Sequence, residues 1–261
     1  MKSPLRWPGG KGWLAEAILT HFAAHKAYVE ACCGGAAVFW AKDPADSAAE
    51  ILNDRDGELI NFYSVLHKSG RRLVRQVDSM PYSRALFDRT RAEGPRGSFA
   101  RAVRFWYLNR VAFGAKRRGA SFGVRVSKGS FVLPAGILTD LDATVQRLRG
   151  VSFESLDVVR LIDLYDRPDT LFYVDPPFWG LSQGYACRFS AADHERLAAA
   201  LGAVKGAFLL SYNDCPQIRG LYRGCRFVPL ATRYSMGRNS ASGRKARATG
   251  KARELLITRR R

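Results

Sequence analysis

Short apolar runs alternate with amphipathic helical patterns along most of this chain, and that alternation constrains the fold more than any other feature. Strands are predicted at residues 27–31, 49–53, 151–154, 171–174, 207–212, 226–231 and 254–258. Helices are predicted between them at residues 11–22, 36–41, 57–67, 156–164, 191–201 and 215–221. The alternation favours a doubly wound, mostly parallel α/β sheet. Because no helix separates the last two strands, we expect these two to pair antiparallel.

Residues 69–149 interrupt the alternation and predict a helical insert in a sheet domain that comprises residues 1–68 and 150–261. Within the insert, residues 101–111 have the pattern of an amphipathic helix with a basic face. Residues 114–129 follow as a glycine- and serine-rich stretch. Its basic residues include Lys116, Arg117, Arg118 and Arg125.

Positive charge dominates the composition. The 42 lysine and arginine residues against 23 acidic residues give a net charge of +19 and a pI of about 10.2. A second basic stretch, residues 237–253, includes Arg238, Arg244 and Lys245. Basic runs are usually solvated loops, but this surplus indicates a polyanionic partner, because each phosphate contact releases a counterion. Charge alone leaves both nucleic acid and an anionic surface open.

The cysteine, histidine and hydropathy patterns argue against a disulfide-bonded, a metal-binding or a membrane protein. The five cysteines are odd in number and contain no C-x-x-C pair, so we expect reduced thiols instead of disulfides or a zinc site. The four histidines lack metal-ligand spacing, and we expect no metal. No apolar run reaches membrane-spanning length, and the first residues lack the core of a signal peptide. A soluble, cytoplasmic monomer without membrane contact is therefore expected.

Asp175, Pro176, Pro177 and Phe178 follow directly after the apolar strand predicted at 171–174. The two prolines make a rigid loop, because both rings fix φ and neither supplies an N–H group. Ligands bind at this carboxyl edge of open α/β sheets. The Asp175 carboxylate and the Pro176 carbonyl can each accept one N–H bond while the Phe178 ring stacks, which suits a flat amine such as adenine. A simple turn with a capping aspartate is the alternative.

This loop is the last of four segments that occur in the order typical of one family. Residues 5–11, L-R-W-P-G-G-K, resemble the element L-K-W-x-G-G-K. Residues 28–39, Y-V-E-A-C-C-G-G-A-A-V-F, are similar to Y-V-E-P-F-x-G-G-G-x-V-F. Residues 53–63, N-D-R-D-G-E-L-I-N-F-Y, are similar to N-D-x-N-x-x-L-I-x-x-Y. With the D-P-P-[YF] loop, the chain resembles the Dam-like, D12-class DNA adenine-N6 methyltransferases over most of its length.

The resemblance implies a seven-stranded, Rossmann-like methyltransferase sheet with an antiparallel last strand, and S-adenosylmethionine as methyl donor. A glycine turn between a strand and a helix lets the backbone approach a ligand, although such a turn is also common without one. The resemblance assigns cofactor contacts to Trp7, Lys11, Glu30, Gly34 and Gly35. A lysine at a helix start opposes the helix dipole, so we expect Lys11 beside an anion, either the cofactor carboxylate or Asp175.

The glycine turn departs from the family pattern at three positions. Ala31, Cys32 and Ala36 stand where the family has proline, phenylalanine and glycine. A methyl group is tolerated best where φ is negative, so we expect a negative φ at Ala36.

Two aspartates follow other strands at the same edge. Asp54, after the second strand, is predicted to bind the ribose hydroxyls of the cofactor, with an N-cap of the following helix as the alternative. Asp157, after the third strand, is predicted to contact the cofactor adenine as in related enzymes, with helix capping as an equal alternative. Both therefore join Asp175 in the predicted cofactor site.

The insert carries a further resemblance. Residues 109–114, N-R-V-A-F-G, resemble the start of N-R-x-x-F-N-G-x-x-R, whose last arginine corresponds to Arg118. Gly114 and Val132 stand where asparagine is usual, so the target sequence need not be that of Dam. The predicted DNA contacts are Arg110, Lys116, Arg117, Arg118, Arg125, Arg238, Arg244 and Lys245. Arg110 and Arg118 are expected at phosphates or bases, and exposed residues without a specific role are the alternative.

These segments predict methyl transfer to N6 of an adenine flipped out of duplex DNA by a bacterial or phage enzyme, without a metal. A cognate restriction endonuclease would act separately. One alternative is a catalytically silent basic DNA-binding protein on a methyltransferase scaffold. Another is an amino-methyltransferase for cytosine N4 or RNA. Asp175 argues against cytosine, for which Ser-Pro-Pro-[YF] is commoner.

Overall fold

The computed structural model describes residues 1–117, 119–124, 132–133, 140–181, 187, 189–230 and 254–260. These residues form a seven-stranded sheet with the order β3-β2-β1-β4-β5-β7-β6. The strands are β1 (Ala27–Glu30), β2 (Ala49–Asn53), β3 (Val151–Glu154), β4 (Thr170–Val174), β5 (Ala207–Asn213), β6 (Cys225–Leu230) and β7 (Glu254–Arg259). β1 to β5 are parallel, and β7 lies antiparallel between β5 and β6. This confirms the predicted fold class. The first and last residue of each strand lie within one residue of the predicted positions.

The described part of the chain contains nine α-helices, one before β1 and eight between later strands. They are α1 (Ala15–Leu19), α2 (Ala37–Ala41), α3 (Gly57–Asp78), α4 (Arg84–Ala92), α5 (Ser98–Val111), α6 (Leu141–Arg147), α7 (Val158–Tyr165), α8 (Ala191–Ala203) and α9 (Pro216–Leu221). Short 3-10 turns occupy Pro44–Asp46 and Phe113–Ala115. The helices between β1 and β5 serve as crossover connections, which parallel strands require.

Two helix predictions were wrong in extent. The helix predicted at 11–22 is confined to α1, because residues 11–14 form a turn in which the Leu14 N–H bonds to the Lys11 carbonyl at 2.9 Å. The helix predicted at 57–67 instead continues to Asp78 across a kink at Ser69 (φ −142°, ψ 32°). The helix continues past this kink because its apolar face does, with Leu73, Val74 and Val77 buried.

Helices cover both faces of the sheet, and β4 shows how its side chains divide between two cores. All five residues of β4 are buried. Leu171 and Tyr173 pack in the core formed with α1 to α5, whereas Phe172 and Val174 pack in the core formed with α7, α8 and α9. This alternation is the period of two expected of a strand buried on both faces.

α4 and α5 lie between β2 and β3 in the sequence and pack beside α3. The Phe62 ring of α3 lies 5.5 Å from Phe105 and 5.2 Å from Trp106, both on α5. After α5 the chain turns back on itself, and the Phe113 N–H donates to the Ser121 carbonyl at 2.8 Å.

The division into residues 1–68 with 150–261 and an insert at 69–149 stays a prediction. Across the described residues, no helix is both long and apolar enough to cross a membrane.

Candidate active site

A cavity of about 280 Å3 opens at the carboxyl ends of β1, β2 and β4. Its walls include all eight residues predicted for the cofactor: Trp7, Lys11, Glu30, Gly34, Gly35, Asp54, Asp157 and Asp175. Pro177 also lines it, whereas Pro176 is buried and Phe178 lies against the core behind the loop. Parallel strands end at one edge, so residues that follow different strands in the sequence converge on one volume.

The glycine turn after β1 contains two residues with left-handed backbone, Gly34 (φ +48°) and Ala36 (φ +50°). The expectation of a negative φ at Ala36 was therefore wrong. A tight turn imposes this conformation, because the Ala36 N–H donates to the Cys33 carbonyl at 2.6 Å just before α2 begins. Glycine is needed at Gly34 for a second reason, since a Cβ there would collide with the Trp7 indole. Trp7 thus packs directly on the turn.

Asp54 supports the same turn from β2. Its Oδ2 accepts the Gly34 N–H at 3.0 Å, and its Oδ1 accepts the Asp56 N–H at 2.9 Å. The N-cap of α3 is Asp56, whose Oδ1 accepts the Glu58 N–H at 3.0 Å. The capping alternative for Asp54 was therefore wrong. Burial raises the pKa of Asp54 to about 6, against the opposing effect of these backbone hydrogen bonds.

Three side chains that sequence reasoning did not select hold this edge together. Asn53 donates to the carbonyls of Ala31 (2.7 Å) and Leu156 (3.2 Å), which joins the ends of three strands. The Tyr63 hydroxyl donates to the Gly34 carbonyl at 3.1 Å, and the Ser3 hydroxyl donates to the Gly35 carbonyl at 2.5 Å. Asn53 and Tyr63 begin and end the 53–63 motif, so their place in that motif was the available signal.

Glu30, at the end of β1, is a buried carboxyl without a cationic partner among the contacts described. Its Oε2 accepts the Tyr28 hydroxyl at 2.7 Å and the Phe39 N–H at 2.9 Å, and the residue is 2% exposed. Burial raises the pKa of Glu30 to about 8, although both hydrogen bonds oppose that shift. At neutral pH the group is therefore mostly protonated and can donate a hydrogen bond of its own.

Lys11 pairs with Asp175, one of the two anions expected for it. The Lys11 Nζ lies 2.8 Å from Asp175 Oδ1, donates to the Gly9 carbonyl at 3.0 Å and lies 4.7 Å from the centre of the Phe178 ring. The expected position at a helix start was wrong, because α1 begins four residues later. Burial raises the pKa of Asp175 to about 6, while Lys11 acts in the opposite direction. The Asp175 side chain keeps 20% exposure.

An aromatic cluster supports the loop that follows Asp175. The Phe178 ring lies 6.0 Å from Tyr212, and the Trp179 ring lies 4.8 Å from His194. His194 Nδ1 and the Tyr212 hydroxyl are hydrogen bonded at 2.5 Å, and Asn213 Nδ2 donates to the Trp179 carbonyl at 3.2 Å. The loop is thereby anchored to β5, so its geometry depends on a neighbouring strand as well as on its prolines.

Asp157 has the capping role that sequence reasoning gave as an alternative. Its Oδ1 accepts the Val159 N–H at 3.1 Å at the start of α7, and it pairs with Arg196 at 3.0 Å. The cofactor contact of Asp157 stays a prediction, as does every other predicted contact with a ligand. No group of three potential metal ligands occurs within the described ranges.

The residues predicted to contact DNA differ in their surroundings. Lys116 is exposed to solvent. The Arg110 side chain is partly engaged, because its Nε donates to the Val132 carbonyl at 3.0 Å. Arg117 is engaged inside the protein: its guanidinium lies 3.0 Å from Asp56 and 4.3 Å from the centre of the Phe105 ring. Arg118, Arg125, Arg238, Arg244 and Lys245 lie outside the described residues.

Comparison with known proteins agrees with this architecture. Residues 7–236 match the family described as D12 class N6 adenine-specific DNA methyltransferase. The chain is also 29% identical over 258 residues to the DNA N-6-adenine-methyltransferase of Escherichia phage P1. That match covers 90% of this chain but 33% of the phage protein, so the chain spans about a third of the length of this relative. Because the family match takes in the glycine turn, the D-P-P-F loop and the insert, the chain belongs to the D12 class of N6 adenine-specific DNA methyltransferases.

Proposed function

We propose that this protein transfers a methyl group from S-adenosylmethionine to N6 of an adenine flipped out of duplex DNA. The observation that carries the proposal is that one cavity contains both the glycine turn and the partly exposed Asp175 carboxylate. A methyl donor bound at the turn and an amine bound at Asp175 would therefore meet in a single volume. Such alignment is itself a large contribution to rate.

The lining of the cavity fits a cationic donor. Apart from the protonated Glu30, the described lining residues include four carboxylates (Asp54, Asp56, Asp157 and Asp175) against two cationic side chains (Lys11 and Arg55). When bound, S-adenosylmethionine supplies an electrophilic methyl group on a positively charged sulfur. Asp54 would accept bonds from the ribose hydroxyls, Asp157 would contact the adenine, and Trp7, Glu30, Gly34 and Gly35 would enclose the rest. Because the lining is acidic, it favours this cation over an anionic nucleotide.

The acceptor amine is proposed to bind at the D-P-P-F loop. Asp175 and the Pro176 carbonyl would accept the two N6–H bonds, Pro177 would keep the loop rigid and Phe178 would stack on the base. The N6 lone pair is delocalised into the ring, so hydrogen bonds that draw N6 toward a tetrahedral state increase its nucleophilicity. The same oxygens stabilise positive charge as it develops on nitrogen.

DNA is proposed to lie across this edge of the sheet. The net charge of +19 supports binding to a polyanion, and Lys116 is exposed beside α5. Arg110, Arg118 and Arg125 from the insert, with Arg238, Arg244 and Lys245, would contact phosphates or bases. Arg117 would act indirectly, since its pairing with Asp56 connects the insert to the start of α3. We propose a monomer with residues 69–149 as the target-recognition insert, and any cognate endonuclease as a separate protein.

Nucleoside analysis tests this function. Duplex DNA and RNA are each incubated with S-adenosylmethionine and protein, digested and analysed for methylated bases, with Asp175→Ala as the matched control. We expect N6-methyladenine from duplex DNA alone, and none with the control variant. Methylated cytosine or RNA would contradict the proposal. DNA binding without any cofactor binding in calorimetry would identify a silent DNA-binding protein instead.

A further inference from the structure

Arg117 is among the predicted DNA contacts, but its described contacts point into the protein. Its side chain is 18% exposed, and its Nε is buried. The Arg117 Nη2 lies 3.0 Å from Asp56 Oδ2 and 3.4 Å from Asp56 Oδ1, and the guanidinium carbon lies 4.3 Å from the centre of the Phe105 ring. Lys116, its neighbour in the chain, is exposed. Two adjacent basic residues therefore have different surroundings.

Asp56 connects Arg117 to the glycine turn through Asp54. The Asp56 N–H donates to Asp54 Oδ1 at 2.9 Å, and Asp54 Oδ2 accepts the Gly34 N–H at 3.0 Å. Asp56 also lines the cavity, and its side chain is 9% exposed. Burial of a carboxylate is costly unless the group is paired, so the position of Asp56 depends on Arg117. A continuous series of polar contacts thus joins the chain after α5 to Gly34.

The sequence gives an independent reason to consider these two residues together. Asp56 stands where the family pattern N-D-x-N-x-x-L-I-x-x-Y has asparagine. Asparagine and aspartate cap helices about equally well, so the cap of α3 does not require a carboxyl group here. A guanidinium does favour a carboxylate, because a hydrogen bond between ionised partners is stronger than one to a neutral amide. Arg117 occupies a position that N-R-x-x-F-N-G-x-x-R leaves open, so the pair is a feature of this chain.

We propose that Arg117 is a positioning residue for the cofactor site and not a contact to DNA. The proposal rests on the function proposed above, in which Asp54 accepts bonds from the ribose hydroxyls of the methyl donor. Arg117 holds Asp56, Asp56 holds Asp54, and Asp54 holds the glycine turn at Gly34. Arg117 itself touches neither the methyl donor nor the acceptor base.

Arg117 also acts on Asp54 through its charge. Burial raises the pKa of Asp54 to about 6, Asp56 raises that pKa further, and Arg117 lowers it. Without Arg117 the pKa of Asp54 would be higher, and a larger fraction of this carboxyl group would be protonated near neutral pH. A neutral carboxyl group accepts weaker hydrogen bonds from hydroxyl groups than a carboxylate does. Position and charge therefore both predict weaker cofactor binding when Arg117 is lost.

The first experiment measures the Kd of S-adenosylmethionine by calorimetry in the absence of DNA. Arg117→Met removes the charge but keeps apolar atoms beside Phe105. Arg101→Met is the matched control, because Arg101 of α5 pairs with Glu58 of α3 and neither residue lines the cavity. We expect the Kd to rise about tenfold in Arg117→Met, as for loss of one hydrogen bond to a charged group, and to stay unchanged in Arg101→Met. An unchanged Kd in Arg117→Met would overturn the proposal.

The second experiment measures binding of duplex DNA at several salt concentrations. Loss of a phosphate contact reduces the slope of log affinity against log salt by about one unit. We expect that reduction in Lys116→Met and a wild-type slope in Arg117→Met. A slope reduced by about one unit in Arg117→Met would identify Arg117 as a DNA contact and overturn the proposal.

A double-mutant cycle tests whether Arg117 acts through Asp56. Asp56→Asn keeps a capping side chain at the start of α3 but removes the carboxyl group. In that background Arg117→Met should change the cofactor Kd little further, and a full tenfold loss would overturn the proposal. If Arg117→Met does not fold, Arg117→Lys keeps the charge without the planar guanidinium and should raise the Kd by a smaller factor. A wild-type Kd in Arg117→Lys would then overturn the proposal.

Amide hydrogen exchange in the free protein separates this proposal from the proposed function, because it requires neither DNA nor methyl donor. The Gly34 and Asp56 N–H groups both donate to Asp54. We expect both amides to exchange faster in Arg117→Met than in the wild type and in Arg101→Met. A wild-type protein that binds no S-adenosylmethionine would refute the proposed function, and the exchange rates would still decide the role of Arg117. Wild-type rates in Arg117→Met would overturn it.

Discussion

Both ends of the central sheet bury ion pairs, but the described contacts of the two clusters differ. At the amino end, Glu50 of β2 accepts bonds from Arg147 Nη1 (2.5 Å) and Nη2 (2.8 Å) and from Lys42 Nζ (3.1 Å). At the carboxyl end, Lys11 lies between Asp175 and Glu254. Among the contacts described, Glu50 is a carboxylate that bonds to two cations, whereas Lys11 is a cation that faces two carboxylates.

The two clusters also differ in how fully their bonding capacity is used. Arg147 donates in addition to the Phe39 carbonyl at 2.9 Å, and Lys42 donates to the Asp43 carbonyl at 2.7 Å, so the amino-end cluster is bonded on many sides. Asp175 instead keeps 20% exposure at the cavity and a raised pKa. The contrast indicates that the amino-end cluster stabilises the fold, while Asp175 at the carboxyl end remains accessible from the cavity.

Removing the carboxylate at the amino end should have the largest effect on stability. Glu50→Gln leaves two buried cations without an anion, so we expect a loss of about 3–5 kcal/mol in the free energy of unfolding. Denaturant unfolding measures it. Asp142→Asn is the matched control, because its partner Arg71 is 73% exposed and that pair should contribute less than about 1 kcal/mol. Equal losses in the two variants would remove the distinction between the clusters.

Glu30 is a buried glutamate with no cationic partner among the described contacts, and the prediction for it concerns the pH dependence of stability. Its pKa is raised from 4.5 to about 8, so its contribution to stability is present below 4.5 and is lost as pH rises through 8. Glu30→Gln mimics the protonated acid, so the variant should not show the loss of about 3 kcal/mol in stability that the wild type undergoes between about pH 5 and about pH 8. Unfolding at several pH values measures this. Parallel curves for the two proteins would show that Glu30 does not titrate in this range.

Asp175→Ala should affect activity more than stability. We expect turnover to fall on the order of 10²-fold or more, since one group that stabilises developing charge is lost. DNA affinity should remain, because phosphate contacts supply most of it. Single-turnover methylation and DNA binding measure the two effects. Near-normal turnover would remove Asp175 from the mechanism and make the carboxyl-end cluster a structural one.

Substitutions of Phe178 test whether its ring, which lies beside Lys11, stacks on the target base or only packs the D-P-P-F loop against the core. Phe178→Ala should lose roughly 1–3 kcal/mol of transition-state stabilisation if the ring stacks on adenine, and Phe178→Tyr should retain most activity. A mismatch opposite the target makes flipping cheaper and should partly rescue the alanine variant. No rescue together with a loss of folded protein would assign Phe178 to packing against Tyr212.

The smallest effect is expected at Ala36. Ala36→Gly relieves about 1–2 kcal/mol of left-handed strain but loses about 0.8 kcal/mol of methyl burial and adds about 0.5–1 kcal/mol of chain entropy. The free energy of unfolding should therefore change by less than about 1 kcal/mol. Gly34→Ala in the same turn should be clearly destabilising, because its Cβ would collide with Trp7. Equal effects at the two positions would contradict the observed turn.

Most of the sheet and the walls of the cavity were predictable from the chain. Apolar runs and the residues that follow them are local features, and parallel topology brings strand ends together. Local patterns did not predict that α3 continues to Asp78 across the kink at Ser69. The helix continues because burial of Val74 and Val77 stabilises it more than the non-helical backbone of Ser69 destabilises it. They also gave no sign that Arg117 pairs with Asp56, since that contact joins the insert to the start of α3.

The amino-acid sequence by itself determined the order of strands and helices and the identity of the D-P-P-F loop and the glycine turn, because these depend on neighbouring residues. Tertiary structure alone decided that Ala36 is left-handed, that Asp56 rather than Asp54 caps α3, and that Glu254 approaches Lys11. The physical reason is that backbone strain, hydrogen-bond choice and burial of charge depend on residues distant in the chain, which only packing brings into contact.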